Sequence, residues 1–279
     1  MKPLDAARRP GFPLRLPAAA SKTGATKIIA GRARELVATG LKNTPKELQK
    51  PVARAATAAA VATGIGLDSQ AVRARMVHKL AAQGVADSRV LAALGLIERH
   101  RFVDSALVNQ AYEDTSLPIG LGQTISKPNV VARMLELLVK GRDGKLGRVL
   151  EIGTGCGYQA ALLAQLATEV YSIERLRGLH DRARDNLRPL RVANLHLLFG
   201  DGMAGYAKGA PYAAIIAAAG GEALPQAWLD QLAIGGRLVA PVQGANGAQA
   251  LVVVDKTARG MTQTLLEAVY FVPLKSGTS

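Results

Sequence analysis

The sequence contains few aromatic residues and almost no cysteine. Only 4% of its 279 residues are Phe, Trp or Tyr, which argues against a surface that stacks the bases of single-stranded nucleic acid. One cysteine excludes a disulfide within the chain, and with only four His residues it argues against a zinc, iron–sulfur or His-rich metal site. We therefore expect no metal centre and a reducing, cytoplasmic location.

Acidic residues are scarcest near the N-terminus. Residues 1–67 contain 12 Lys and Arg against 3 Asp and Glu, whereas the remaining residues contain 23 and 18. The first segment is also rich in Ala, Pro and Gly and has no long apolar period, so we expect a basic, disordered extension without a secretory signal or membrane span. Several interpretations of this segment stay open. It is a transit or nucleic-acid-tethering segment, or a dispensable extension, or the start codon has been assigned too early and translation starts at Met76.

The apolar pattern predicts one domain over residues 68–279. Residues 68–146 contain helical spacing at 72–80, 90–97 and 130–140, and an ordered loop is expected at 111–126. Residues 147–279 alternate short apolar runs with helical segments, which predicts a doubly wound, mostly parallel seven-stranded α/β sheet with an antiparallel edge and N-terminal helices. The predicted strands are 148–152, 170–173, 195–199, 213–217, 237–242, 250–254 and 265–272, and the predicted helices between them are 158–166 and 176–187.

Three glycines with a spacing of two follow the first predicted strand. Gly153, Gly155 and Gly157 let the backbone turn sharply and approach a ligand without Cβ clashes. Their Gly-x-Gly-x-Gly spacing differs from the Gly-x-Gly-x-x-Gly pattern that binds a pyrophosphate. A nucleoside without phosphates is one interpretation, and a simple tight turn is the other.

Acidic residues at the ends of the first three predicted strands favour the nucleoside. Glu151 precedes the glycines, and Glu174 ends the second strand, where a carboxylate accepts hydrogen bonds from both ribose hydroxyls. Asp201 ends the third strand and is placed to reach an adenine amino group, with Gly202 leaving room for the ring. A solvated charge or a helix cap is the alternative for each acid taken alone.

At residues 151–158, Glu174 and 200–202 the chain resembles the class I S-adenosylmethionine-dependent methyltransferases. The resemblance implies the Rossmann-like fold of that class and S-adenosylmethionine as the methyl donor. A sulfonium cation on a nucleoside is suited to acidic side chains and close backbone rather than to basic phosphate ligands. Cys156, inside the glycine loop, is interpreted as a small turn residue and not as a nucleophile.

A second segment resembles one family within that class. Residues 117–122, followed by Gln123, Thr124, Ile125 and Ser126, are similar to the signature loop of the protein-L-isoaspartate O-methyltransferases. The similarity extends over most of residues 72–274, and it implies methylation of the α-carboxyl of isoaspartyl residues in damaged proteins and peptides. It also implies that Ser126 is the active-site serine and that four residues lie against the donor: Ile119, Gly120, Leu121 and Gly122.

Carboxylate chemistry is consistent with this resemblance. A carboxylate is an ionised nucleophile at neutral pH, so its methylation needs alignment and no general base. The hydroxyls of Ser126 and Thr124 are suited to donate a hydrogen bond to one carboxylate oxygen. The alternative interpretation of Ser126 is the N-cap of the helix that starts near Lys127 and Pro128.

Two departures from the family pattern leave other functions open. Ala213 stands where the family commonly has an acid, and residues 218–225 also differ. A methyltransferase of a small molecule or RNA, and a catalytically silent donor-binding module, therefore remain alternatives, while a dinucleotide oxidoreductase is disfavoured by the glycine spacing. We expect isoaspartyl proteins and peptides as substrates, with no stable nucleic-acid partner and no membrane; the oligomeric state is left open.

Overall fold

The computed structural model describes residues 70–244 and 247–279, so the predicted disordered extension over residues 1–67 lies outside the described residues. The described chain starts with helices α1 (Gln70–Ala82) and α2 (Ser88–Leu96), which pack against each other. The Asp87 carboxylate caps α2 by accepting hydrogen bonds from the Arg89 and Val90 amides. Two 3-10 helices follow, at Arg99–Phe102 and Ser105–Gln110.

Residues 111–126 were expected to form a loop, and that prediction is wrong. The segment contains an antiparallel hairpin of β1 (Leu117–Gly120) and β2 (Gln123–Ile125). Leu117 and Ile119 are buried while Pro118 and Gly120 are exposed, which is the period of a half-buried strand. The glycines and Pro118 that suggested a loop lie in the turn and on the exposed side of the strand.

Helix α3 (Pro128–Val139) follows the hairpin, close to the predicted bounds. Its N-cap position is Lys127, and Pro128 is the first helical residue, a position where the missing N–H of proline costs nothing. The interpretation of Ser126 as the N-cap of this helix is therefore wrong.

A mixed seven-stranded sheet forms the centre of the domain, as predicted, in the order β5-β4-β3-β6-β7-β8-β9. Neighbouring strands from β5 to β7 pair in parallel, and β8 and β9 add the antiparallel edge. Its strands are β3 (Leu146–Ile152), β4 (Ala167–Glu174), β5 (Leu195–Phe199), β6 (Tyr212–Ala217), β7 (Leu232–Gln243), β8 (Gln249–Thr257) and β9 (Gly260–Val269).

Three helices connect strands of this sheet, and one of them was not predicted. Helices α4 (Tyr158–Leu166) and α5 (Arg177–Leu187) match the predicted segments, whereas α6 (Gln226–Gln231) is a six-residue helix before β7. Trp228 of α6 is buried, and its indole Nε1 donates a hydrogen bond to the Gly202 carbonyl at 2.8 Å. Shorter 3-10 helices lie at Arg188–Leu190, Gly202–Ala204 and Ala207–Gly209.

The two faces of the sheet pack into two separate cores. Successive strand residues point to opposite faces, so Val149 joins the core built with helices α1 to α5, while Leu150 joins the core that contains Trp228. Because the strand order reverses between β3 and β6, a crevice opens at the carboxyl ends of these strands, where open α/β sheets bind ligands. Within the described residues, no helix is both long and apolar enough to cross a bilayer.

Candidate active site

A pocket lies at the carboxyl ends of β3, β4 and β6, and the β1–β2 hairpin contributes one of its walls. The structure brings together at this pocket most of the residues predicted from the sequence, namely Ile119, Leu121, Thr124, Ser126, Gly153, Gly155, Glu174 and Gly202. Gly120, the last residue of β1, and Gly122, in the hairpin turn, lie outside the pocket lining. Glu151 and Asp201 also lie outside the lining.

The glycine loop and Glu174 form one rigid unit. Glu174 is 5% exposed, and its Oε2 accepts a hydrogen bond from the Gly155 amide while Oε1 accepts one from the Leu176 amide, both at 2.9 Å. Gly155 has a φ of 57°, a region that side chains with a Cβ rarely adopt. An ionised carboxylate offers about four acceptor positions. Glu174 therefore keeps acceptor capacity for a ligand after bonding the two amides.

Gly202 is required for packing as well as for room in the pocket. A Cβ built at Gly202 would lie 2.6 Å from Cγ2 of Ile152, the last residue of β3. That separation is far shorter than any ordinary carbon–carbon contact. Glycine at this position therefore lets the turn after β5 close against β3.

Glu151 lies beneath the glycine loop rather than on the pocket surface. It is fully buried, its Oε2 accepts a hydrogen bond from the Ser172 hydroxyl, and Oε1 has no hydrogen-bond partner. The Ser172 hydroxyl also lies 2.6 Å from Oγ1 of Thr154, which lines the pocket. Burial raises the pKa of Glu151 from 4.5 to about 8, against the opposing effect of the Ser172 hydrogen bond. The acid thus connects to the pocket through two hydroxyls.

The carboxylate of Asp201 is engaged by backbone amides. Its Oδ1 accepts a hydrogen bond from the Met203 amide at 2.8 Å, and Oδ2 accepts one from the Gly277 amide at 2.7 Å. Residues 272–279 run past the ends of β6, β5 and β4, and the Arg175 side chain donates to the Gly277 carbonyl at 2.8 Å. In this arrangement Asp201 caps a 3-10 helix and anchors the C-terminal segment.

The hairpin is attached to helix α5. Arg182 of α5 donates a hydrogen bond from Nη1 to the Ile119 carbonyl at 2.7 Å. At the turn, Leu121 has a φ of 52°, unusual for a residue with a side chain, and its side chain lies against Gly178. Thr124 and Ser126, which follow this turn, line the same pocket as Glu174.

Several pocket residues were not predicted from the sequence as site residues. Ala218 and Ala219 follow β6, so the rule that ligands bind at the carboxyl ends of parallel strands would have found them. Residues 272–275 reach the pocket because the Leu274 amide donates to the Gly220 carbonyl at 2.8 Å, a long-range contact that no local pattern indicates. Other unpredicted lining residues are Gln123, Thr154, Tyr158, Gln159, Arg175 and Leu176.

Cys156 lies in the pocket lining, in an environment that disfavours its thiolate. Its side chain is 3% exposed, and burial raises the pKa of its thiol above the usual value. Because the thiolate is the nucleophilic form of cysteine, this environment disfavours covalent catalysis by Cys156. The position accords with the interpretation of Cys156 as a small residue of the turn.

The fold and pocket together define a class of protein. The sheet is mostly parallel, a glycine loop follows β3, and an acid ends the neighbouring strand β4. This is the arrangement of the class I methyltransferases. The family model described as protein-L-isoaspartate(D-aspartate) O-methyltransferase matches residues 71–279. The chain belongs to this family.

Individual relatives agree with this assignment. The chain is 61% identical over 236 residues to a protein-L-isoaspartate O-methyltransferase of Methylibium petroleiphilum, a match that covers 82% of this chain and 88% of the relative. A solved protein-L-isoaspartate O-methyltransferase structure superposes with a TM-score of 0.67 at 28% identity, covering 73% of this chain and 66% of that chain.

A further solved structure supports the fold alone. A protein described as a putative protein-L-isoaspartate O-methyltransferase of Plasmodium falciparum, in complex with S-adenosyl-L-homocysteine, matches with a TM-score of 0.63 at 23% identity. The match covers 73% of this chain and 98% of that one.

Proposed function

We propose that the chain transfers a methyl group from S-adenosylmethionine to the free α-carboxyl of L-isoaspartyl residues in damaged proteins and peptides. Family membership over residues 71–279 supports this reaction. The observation that carries the proposal is that Thr124 and Ser126, two residues with hydroxyl side chains, line the same pocket as the glycine loop and Glu174. Residues suited to bind the methyl acceptor and residues suited to bind the methyl donor thus line one pocket.

The donor-binding half fits a nucleoside that carries a cation. Glu174 presents a carboxylate fixed by two amides, with acceptor capacity left for ribose hydroxyls. S-adenosylmethionine supplies an electrophilic methyl group when bound, and its demethylated product is the ligand of the Plasmodium falciparum protein. We assign donor contacts to Gly153, Gly155 and Gly202, and to the hairpin residues Ile119, Gly120, Leu121 and Gly122.

Two further acids have a more distant part in donor binding. Glu151 acts through the Ser172 and Thr154 hydroxyls, since its own side chain is buried. Asp201 has both oxygens bonded to backbone amides, and its remaining acceptor capacity is what an adenine amino group would use. The described residues fit the donor most directly at Glu174.

The acceptor half positions a carboxylate that needs no activation. An α-carboxyl is ionised at neutral pH, so the residues have to hold one oxygen in line with the methyl group and leave it unprotonated. In our assignment Ser126 and Thr124 donate hydrogen bonds to the other oxygen. The methyl ester that results has a better leaving group than a carboxylate, so the adjacent backbone nitrogen attacks the ester carbonyl, releases methanol and closes a succinimide without further help from the enzyme. Hydrolysis of the succinimide returns some normal aspartate, which is the repair.

The other expectations concern location and partners. A single, buried cysteine is compatible with a reducing compartment, and we propose a cytoplasmic enzyme. We also propose that isoaspartyl chains are its substrates and that it holds no stable nucleic-acid partner.

The experiment compares two classes of acceptor. The purified full chain is incubated with methyl-labelled S-adenosylmethionine and either an isoaspartyl peptide or RNA. We expect label in the peptide as a base-labile ester. Label in RNA alone would overturn the proposal in favour of a nucleic-acid methyltransferase, and donor binding by calorimetry without turnover on isoaspartyl peptides would favour a silent donor-binding module.

A further inference from the structure

Arg99 is a fully buried cation that connects the two ends of residues 111–126, the segment that contains the β1–β2 hairpin. It begins the 3-10 helix Arg99–Phe102 and is 0% exposed. Its Nε donates to the Ala111 carbonyl and its Nη2 to the Ser126 carbonyl, both at 2.8 Å. One side chain thus holds the beginning and the end of residues 111–126.

The positive charge of Arg99 forms no salt bridge in the described part of the chain, and the Asp114 carboxylate acts on it only through space. Its Nη1 has no hydrogen-bond partner, and no described carboxylate forms an ion pair with it. The guanidinium carbon lies 5.0 Å from the centroid of the Tyr158 ring, a cation–π contact that offsets only part of the desolvation cost. Burial lowers the pKa of Arg99, yet a guanidinium remains charged in proteins.

This unpaired charge lies directly behind the acceptor side of the pocket. Arg99 is bonded to the backbone of Ser126 and stacked on Tyr158, and both of these residues line the pocket. Its charge also acts on Cys156, a third lining residue. A cation behind a low-dielectric wall favours an anion on the other side of that wall, because solvent screens the interaction little there.

We propose that Arg99 is a specificity-determining positioning residue, whose unpaired buried charge selects a carboxylate acceptor while its two hydrogen bonds fix the position of Ser126. The inference rests on the proposed function, since it takes the acceptor to be a carboxylate. The positive charge of Arg99 gives the reason why an anionic acceptor binds in a pocket that already contains the Glu174 carboxylate at its donor end. A purely structural role would require the hydrogen bonds to Ala111 and Ser126 but not the charge.

The test separates the charge of Arg99 from its hydrogen bonds. Arg99→Lys keeps the charge, whereas Arg99→Gln removes it and keeps a hydrogen-bond donor. For each variant we measure KM and kcat on an isoaspartyl peptide, the inhibition constant of the same peptide with its α-carboxyl replaced by the neutral carboxamide, and the Kd of the donor.

We expect Arg99→Gln to raise KM for the carboxylate peptide about ten-fold or more, while the inhibition constant of the carboxamide and the donor Kd change less than about three-fold. Arg99→Lys should retain most of the preference for carboxylate over carboxamide. Equal losses for the two peptides in Arg99→Gln, or unchanged constants for both, would overturn the proposal. Absence of methylation by the wild-type chain would instead count against the proposed function.

A control and a second measurement guard against misfolding. Arg237→Gln removes an arginine that also bonds two backbone carbonyls, those of Leu137 and Lys140, but that is paired with Asp255 and lies outside the pocket lining, so it should leave the preference unchanged. If Arg99→Gln does not fold, the wild-type chain saturated with S-adenosyl-L-homocysteine, which has no methyl group to transfer, gives a readout without substitution. It should bind the carboxylate peptide at least ten-fold more tightly than the carboxamide, and equal binding would overturn the proposal.

Discussion

The halves of the pocket that we propose for the donor and for the acceptor are held together in different ways. In the donor half, neighbouring strands supply the contacts, as when Glu174 at the end of β4 bonds the amide of Gly155 just beyond β3. In the acceptor half, the segment that carries Thr124 and Ser126 is attached through a single side chain that reaches a backbone carbonyl, as when Arg99 donates to Ser126. Substitutions in the donor half should therefore change stability and donor affinity, and those in the acceptor half should change turnover.

The largest expected effect is on the pH dependence of stability and concerns Glu151. Its pKa is about 8 in the folded chain against 4.5 as the ordinary value, so between these pH values the unfolded chain releases a proton that the folded chain retains. The free energy of unfolding should then fall as pH rises through this window, by up to about 1.4 kcal/mol per pH unit from this group. Below pH 4.5 the effect is absent, and above pH 8 it is constant.

Glu151→Gln should remove this slope because an amide does not titrate. Urea unfolding of the ligand-free chain at pH 5, 6.5 and 8 measures the difference, and the variant should gain stability relative to wild type at each step. Parallel pH profiles for the two proteins would show that Glu151 is ionised in the folded chain.

Donor affinity is expected to change next most strongly. Glu174→Ala removes charge-assisted hydrogen bonds worth about 1.5–3 kcal/mol, so the donor Kd should rise about ten-fold or more. Calorimetric titration with S-adenosyl-L-homocysteine measures it. Glu169→Ala is the matched control, because Glu169 lies on the same strand but outside the pocket lining. Unchanged affinity in Glu174→Ala would remove the ribose assignment.

A packing substitution tests the rigidity of the donor half. Gly202→Ala places a Cβ against Ile152 and should lower the free energy of unfolding by about 1–3 kcal/mol, measured by urea titration. Gly95→Ala in helix α2 is the control, since a Cβ there has only an ordinary contact of 3.8 Å with Val77 and alanine favours the helix. Equal stability of the two variants would mean that the turn after β5 adapts freely.

The smallest expected effect is in the acceptor half. Ser126→Ala should lower kcat about five- to ten-fold, or about 1 kcal/mol, because the Thr124 hydroxyl remains to bind the carboxylate. The donor Kd should stay unchanged. Ser105→Ala, an exposed serine outside the pocket lining, is the control in both assays. A loss of donor affinity equal to the loss in kcat would show that Ser126 has a structural role. It would contradict the claim that substitutions in the acceptor half change turnover without changing donor affinity.

The donor half was largely predictable from the sequence, because its signals are local. The glycine spacing marks the chain reversal between β3 and α4, and the acid is the last residue of the next strand, β4. The structure places Gly153, Gly155 and Glu174 together. Glu151 shows the limit of this reasoning. Its place in the motif suggested a ligand contact, whereas the inward direction of its side chain on β3 leaves it fully buried.

The acceptor half was less predictable, because it depends on tertiary contacts. The hairpin was missed because Pro and Gly are typical of loops, and the burial of Leu117 and Ile119 that makes it a strand comes from the core around them. The same limit applies to Asp201 in the donor half, which was predicted to reach a ligand and whose second oxygen bonds Gly277, 76 residues away. Arg99 was not predicted as a site residue, because only the fold shows that its charge is buried and forms no salt bridge.

The central claim is that this pocket places the methyl group of its donor against a peptide carboxylate of one particular geometry. The most direct measurement is methylation of an isoaspartyl peptide beside a peptide of the same sequence with a normal aspartate, using labelled donor and the purified full chain. The account predicts base-labile label in the isoaspartyl peptide and none above background in its aspartyl twin. Equal labelling of the two peptides, or label in neither, would contradict it.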